Sequence, residues 1–134
     1  MIRSDDTGKL ILRLAVGILI LLHGIGKITG GVGHISGQLA AHGLPGVLAY
    51  GVYIGEIVAP VLVIVGIYTR PAAWIMVVNM VVAIWLAHAK DLTAFGKSGG
   101  LALELQYIFL AAALAVAFLG AGRFSVGGNG GRLN

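Results

Sequence analysis

Four long apolar runs separated by short polar breaks dominate the chain: Leu10 to Ile28, Val47 to Tyr68, Pro71 to His88 and Leu101 to Leu119. Each is near the roughly 20 residues a helix needs to cross a hydrocarbon core. In lipid every backbone N–H and C=O must be satisfied internally, so each run is predicted to be a membrane-spanning helix. Arg70-Pro71 allows only a tight turn, with Pro at the start of the third helix, where its missing N–H does no harm. Spans two and three are therefore antiparallel neighbours. Lys90 to Thr93, followed by Gly99-Gly100, reads as a polar loop.

The connection from Thr29 to Gly46 is longer and is punctuated by Gly30, Gly31, Gly33, Gly37, Gly43 and Pro45. Ile35, Leu39 and Ala40 are spaced for a turn or two of amphipathic helix, which would cap the bundle. A flexible loop fits the same composition. The glycine-rich residues 127–134 have no apolar period and are expected to form a flexible tail behind a single transmembrane domain of residues 1–126. The expected fold class is all-α, an integral membrane four-helix transmembrane bundle.

One carboxylate interrupts this pattern. Glu56 is the single charge between Val47 and Tyr68. A carboxylate inside a span costs several kcal/mol in lipid, so it must face protein, water or a ligand.

Composition agrees with the pattern. Hydrophobic residues make up 58% and charged residues 10% of the 134, whereas a soluble domain averages about 25% charged. Such a chain cannot cover a water-facing surface. The net charge of +4 is too small, and too scattered at the ends of the runs, to indicate nucleic acid as a partner. The chain has no cysteine, which excludes disulfides, thiol relays and Cys-ligated clusters within it. No small-residue cleavage site follows the first run, so it reads as a retained span rather than a signal peptide.

Lys and Arg set an orientation. With the N-terminus inside, the inner side holds Arg3, Lys9, Arg13, Arg70, Arg123 and Arg132, and the outer side Lys27, Lys90 and Lys97. Both termini are thus expected on the cytoplasmic side. Arg13 is expected to snorkel inward, Trp74 and Trp85 to anchor at the interfaces, and Asn79 to tie helices together. Small residues at helix-packing spacing, such as Gly51 with Gly55, allow close approach.

The alternating helix direction then brings ionisable groups from all four spans to the outer half. His23 and Lys27 lie one turn apart on span one, Tyr53 and Glu56 on span two, His88 at the end of span three, and Glu104 with Tyr107 on span four. These seven residues form the candidate ligand pocket. An ion pair of Glu56 with Lys27 or His23 that only fixes packing is the plainer reading of the same pattern. No Glu-x-x-His spacing of a carboxylate-bridged di-metal site is present, and no serine inside a span supports a hydrolase; no metal is expected. A polar pocket with apolar and aromatic walls suits a quinone head group, whose reduction needs a proton donor. Another small molecule or a partner's transmembrane helix would fit it too.

The chain resembles the DoxX family. Arg13-Leu-Ala-Val-Gly17 with Leu22-His23-Gly24-Ile-Gly-Lys27 is similar to the first-span signature of that family. Glu56 with Leu62-Val-Ile-Val-Gly66-Ile-Tyr-Thr69-Arg70 is similar to the second. His88, then Glu104 with Tyr107, then Gly120-Ala-Gly122-Arg123-Phe-Ser125-Val126 resemble the later ones. Gly127 departs from the pattern, which commonly has Asp there. The resemblance implies a multi-pass protein of the inner (plasma) membrane, associated with oxidoreductase systems such as a thiosulfate:quinone oxidoreductase subunit or an oxidative-stress complex. It implies a quinone as the ligand to test. With no flavin, haem or nucleotide motif, the chain is at most a quinone-linked subunit that needs a partner or cofactor. A non-catalytic scaffold in a membrane complex, with a protein partner or as a homo-oligomer, is the alternative; a small-solute carrier ranks below both.

Overall fold

A computed structural model describes residues 4–97, 99–128 and 131–134, and of residues 87 and 88 the backbone alone. The described chain is all-helical apart from turns and one isolated bridge between Phe95 and Leu101. Helix α1 runs Ser4–Gly30, α2 Gly33–Ala41, and α3 is the continuous helical segment Gly46–Val65. Helix α4 is Thr69–His88 and α5 is Glu104–Leu119. Three of these (α1, α3 and most of α4) are long and apolar enough to cross a membrane. Helix α5 has 16 apolar-rich residues, about 24 Å at 1.5 Å per residue. The protein is an integral membrane, all-α bundle.

Helix α1 is longer than its apolar run. Asp5 and Asp6 in its first turn complement the positive end of the helix dipole and extend it on the N-terminal side. Around the bundle, α1 packs on α3 and α5, α3 on α4, and α4 on α5. Val16, Ile20, Val63, Met76, Phe109 and Val116 are buried between them.

Of the two readings of the 29–46 connection, the structure has the helical one. Helix α2 lies over the end of the bundle where α1 ends and α3 begins: Leu39 and Val32 bury themselves against Ala49 and Val52, with Ile35, Tyr53 and Leu86 packed alongside. The His42 ring just past its end meets Trp85 at a tilt of 49°, centroids 4.6 Å apart.

At the opposite end of the bundle Arg13 does not snorkel. It is 1% exposed and hydrogen-bonds to the carbonyls of Val63 (3.0 Å), Ile64 (3.2 Å), Ala121 (2.6 Å) and Phe124 (3.1 Å). The last carbonyls of a helix have no intrahelical donor. Arg13 supplies one for the end of α3, which stops at Gly66 in the left-handed conformation, φ +84°.

Part of the segment expected to be a flexible tail is also engaged. Asn134 Oδ1 accepts from the Thr69 N–H (3.2 Å) and hydroxyl (2.8 Å), and the Leu133 carbonyl accepts from the Arg70 N–H (3.1 Å). These are orphan donors of the first turn of α4. Helix capping, not apolar burial, holds residues 133–134, so an apolar-period reading does not see them.

Candidate functional site

Helix α3 is not a uniform helix. It opens as a 3₁₀ turn over Gly46–Tyr50, and over Ile54–Val58 it widens into a π turn. Pro60 accounts for the widening. It lies four residues after Glu56 and has no N–H, so the Glu56 carbonyl lacks its ordinary helical donor. The ladder shifts to five-residue spacing, and the Ala59 N–H donates to the Ile54 carbonyl. Single π turns inside α-helices recur at functional sites.

The π turn sits against α1 at Gly24. A Cβ there would collide with the Glu56 carbonyl and with Ile57. Glycine thus lets the two backbones touch and draws Lys27, one turn further on, to Glu56. Lys27 Nζ lies 2.7 Å from Oε1 and 2.6 Å from Oε2. The Glu56 residue is 5% exposed; Lys27 is half-buried and opens on its other side to a cavity. The Tyr53 hydroxyl donates to the Lys27 carbonyl at 3.1 Å and steadies the end of α1. From the 1.5 Å rise per residue, Lys27 stands about 21 Å along α1 from Arg13. The ion pair thus lies toward the opposite end of the bundle from Arg13.

The cavity holds about 1100 Å³. Lys27 and Glu56 form part of its wall, with Ile20, Val52, Met80, Phe109 and both tryptophans among its apolar lining. Its remaining polar lining is His23, His34, Gln38, Asn79 and Gln106. Apolar walls with a few convergent polar groups are the usual make-up of a small-molecule site. His23 Nδ1 lies 2.9 Å from the Leu19 carbonyl. A carbonyl only accepts, so Nδ1 carries the proton and, in the neutral ring, Nε2 is an acceptor. Its ring meets Phe109 edge-on at 5.7 Å. The side chains of Asn79, Gln38 and Gln106 have no hydrogen-bond partner among the described residues. Each amide offers both a donor and an acceptor.

Of the seven candidate residues, four therefore belong to one locality: His23, Lys27 and Glu56 on the cavity wall, and Tyr53 behind Lys27. Glu104 is exposed, its carboxylate over Gly100. The Tyr107 hydroxyl donates to the Leu92 carbonyl at 2.6 Å and fastens the α4–α5 loop. Neither lines the cavity, because α5 turns Leu105, Gln106 and Phe109 toward it, and Glu104 and Tyr107 lie on the other face of the same helix. The His88 side chain lies outside the described residues. His34, Gln38, Asn79 and Gln106 were not among the seven. For Asn79 the signal was present, a lone amide in a span three residues from Met76; its spacing from Gly55 is what only the fold reveals.

A family model named DoxX matches residues 8–89, a stretch that includes Lys27, Glu56 and Asn79 and ends before Glu104. An uncharacterized protein of Haemophilus influenzae is 36% identical over 103 residues, covering 74% of this chain and 75% of its own length. A Bacillus subtilis protein named "Putative oxidoreductase CatD" is 29% identical over 120 residues, covering 90% of this chain and 84% of its own. No solved structure matches the chain.

Proposed function

The chain belongs to the DoxX family of membrane proteins, and on that premise we propose that it is the quinone-binding membrane subunit of an oxidoreductase system. The observation that carries this reading is the buried Lys27–Glu56 pair on the wall of a largely apolar cavity. A quinone head group is a flat apolar ring with two carbonyl acceptors. Lys27 has a third ammonium proton beyond the two facing Glu56, and the amides of Asn79 and Gln106 offer further donors. The quinol form carries hydroxyl donors instead, and the Glu56 carboxylate, His23 Nε2 and the same amides accept from them. Quinone reduction takes up two electrons and two protons. Glu56, tied to a lysine in a desolvated site, is the group to hold and pass the proton.

The electrons come from a redox partner, since this chain carries no cysteine and no flavin, haem or nucleotide motif. The name of the Bacillus subtilis relative supports an oxidoreductase setting. We place the protein in the inner membrane, with the Arg13 end and both termini cytoplasmic and the cavity in the outer half.

Retention of quinone tests the reading. Protein purified in mild detergent is extracted with organic solvent and its quinone content measured per mole of chain. The wild type is expected to hold a substantial fraction of one equivalent, and the Lys27→Met/Glu56→Gln variant little. Equal retention by the two, or none in the wild type alongside a stably copurifying partner, would favour a scaffold instead.

A further inference from the structure

The cavity is open at its side. Ile75, Val78 and Val82 of α4 and Leu48 and Gly51 of α3 form part of its wall, yet Val78 is 60% exposed. A residue that both lines a cavity and faces outward marks an opening. This one lies between two membrane-spanning helices, beneath α2, where the surroundings are hydrocarbon. Gly51 keeps it clear: a Cβ there would meet nothing within 4 Å, so the space beside it is empty. Further in, the Asn79 side chain packs on Gly55, where a Cβ would collide with it. Asn79 therefore stands where the groove enters the chamber.

We propose that this opening is a lateral portal for a lipid-borne ligand with a single hydrocarbon tail. The head group hydrogen-bonds to Asn79 beside the Lys27–Glu56 pair, and the tail leaves between α3 and α4 along Val78 and Val82 into the bilayer. The proposal rests on reading the chamber as a quinone head-group site. Two features favour this occupant over a free aqueous ring. The groove is apolar along its whole lining outside Asn79, which matches a hydrocarbon chain and offers a water-borne ring nothing. The end of the chamber toward α2, by contrast, is covered by that helix, whose Leu39 is packed down on Ala49 and Val52. An amide unpaired within a span is costly in lipid, and a head group at the inner end of the groove relieves that cost.

The test compares a tailless benzoquinone with the same ring bearing a decyl chain, both titrated into detergent-solubilised protein. The wild type is expected to bind the tailed ligand at least tenfold more tightly. Val78→Phe/Val82→Phe, which fills the groove but leaves the chamber, is expected to erase that preference while keeping the tailless affinity and the helical circular dichroism of the wild type. If the tail adds nothing in the wild type, or the double variant weakens both ligands alike, the portal is wrong even though the head-group site stands. If the tailless ring does not bind at all, the head-group reading and the portal fall together. If the double variant instead releases a copurifying protein and leaves the tail preference intact, the groove is a protein contact and the proposal fails.

Discussion

Removing Lys27 alone leaves the Glu56 carboxylate buried without its counter-charge. Breaking a buried pair at one partner usually costs more than the intact pair is worth. Lys27→Met is therefore expected to lower unfolding stability in detergent by about 3 kcal/mol, toward the low end for such pairs because Lys27 is partly exposed. Lys27→Met/Glu56→Gln, with neither charge, is expected to regain most of that loss. Chemical denaturation of the three proteins checks this; a double variant as unstable as the single one would show that the pair is not self-contained. At this scale the sequence was informative for Glu56 and Lys27, because a charge inside an apolar run has few places to go. It was uninformative for Arg13. Nothing in the spacing of Arg13 announces the four carbonyls, drawn from residues 63–124, that converge on it.

The π turn of α3 and the close approach at Gly24 work as one device. Gly24→Ala places a methyl group against backbone, the Glu56 carbonyl, which cannot rotate away. Overpacking of this kind typically costs about 1–3 kcal/mol. The expected consequence is a measurable loss of thermal stability and a weakened quinone affinity, since α1 must move off α3 and carry Lys27 with it. Gly26→Ala on the same helix, where a Cβ meets nothing within 4 Å, is the control and is expected to change neither. Gly→Ala raises helix propensity at both sites, so a loss at Gly24 reports the contact, and equal losses from both would rule the contact out as the cause. The apolar helices and a tight connection between α3 and α4 were legible from hydropathy and proline placement, but the turn itself falls at residues 66–68 and Arg70-Pro71 lie in the first turn of α4. The π turn was not, although its cause, Pro60 four residues after Glu56, is written in the chain. Helix α2 was half legible: its apolar spacing was visible, but the Ala49 and Val52 surface that selects helix over loop exists only after folding.

For the whole molecule, the proposed topology has the Arg13 end inside and α2 outside, as the Lys and Arg distribution predicts. The absence of native cysteine lets single Cys probes report this directly. Gly31→Cys, beyond the end of α1, is expected to react with a membrane-impermeant thiol reagent added to whole cells. Ser4→Cys is expected to react only after the membrane is opened. The reverse pattern would invert the topology and move the cavity to the cytoplasmic half. The candidate pocket was legible as a place but not as a boundary. Helix direction alone put groups from four spans at similar depth, whereas the rotation of α5 turned Leu105, Gln106 and Phe109 rather than Glu104 and Tyr107 to the wall, and the packing of α2 added His34 and Gln38.

The central claim is that the Lys27–Glu56 cavity binds a quinone head group, and the chain carries its own reporter. Both of its tryptophans, Trp74 and Trp85, line that cavity. Titration with a short-chain quinone, followed by quenching of tryptophan emission, is therefore the most direct measurement. We expect saturable quenching in the wild type and at least a tenfold weaker apparent affinity in Lys27→Met/Glu56→Gln, at matched helical content and thermal stability. Quenching that never saturates in the wild type, or an unchanged affinity in the folded double variant, would contradict the account.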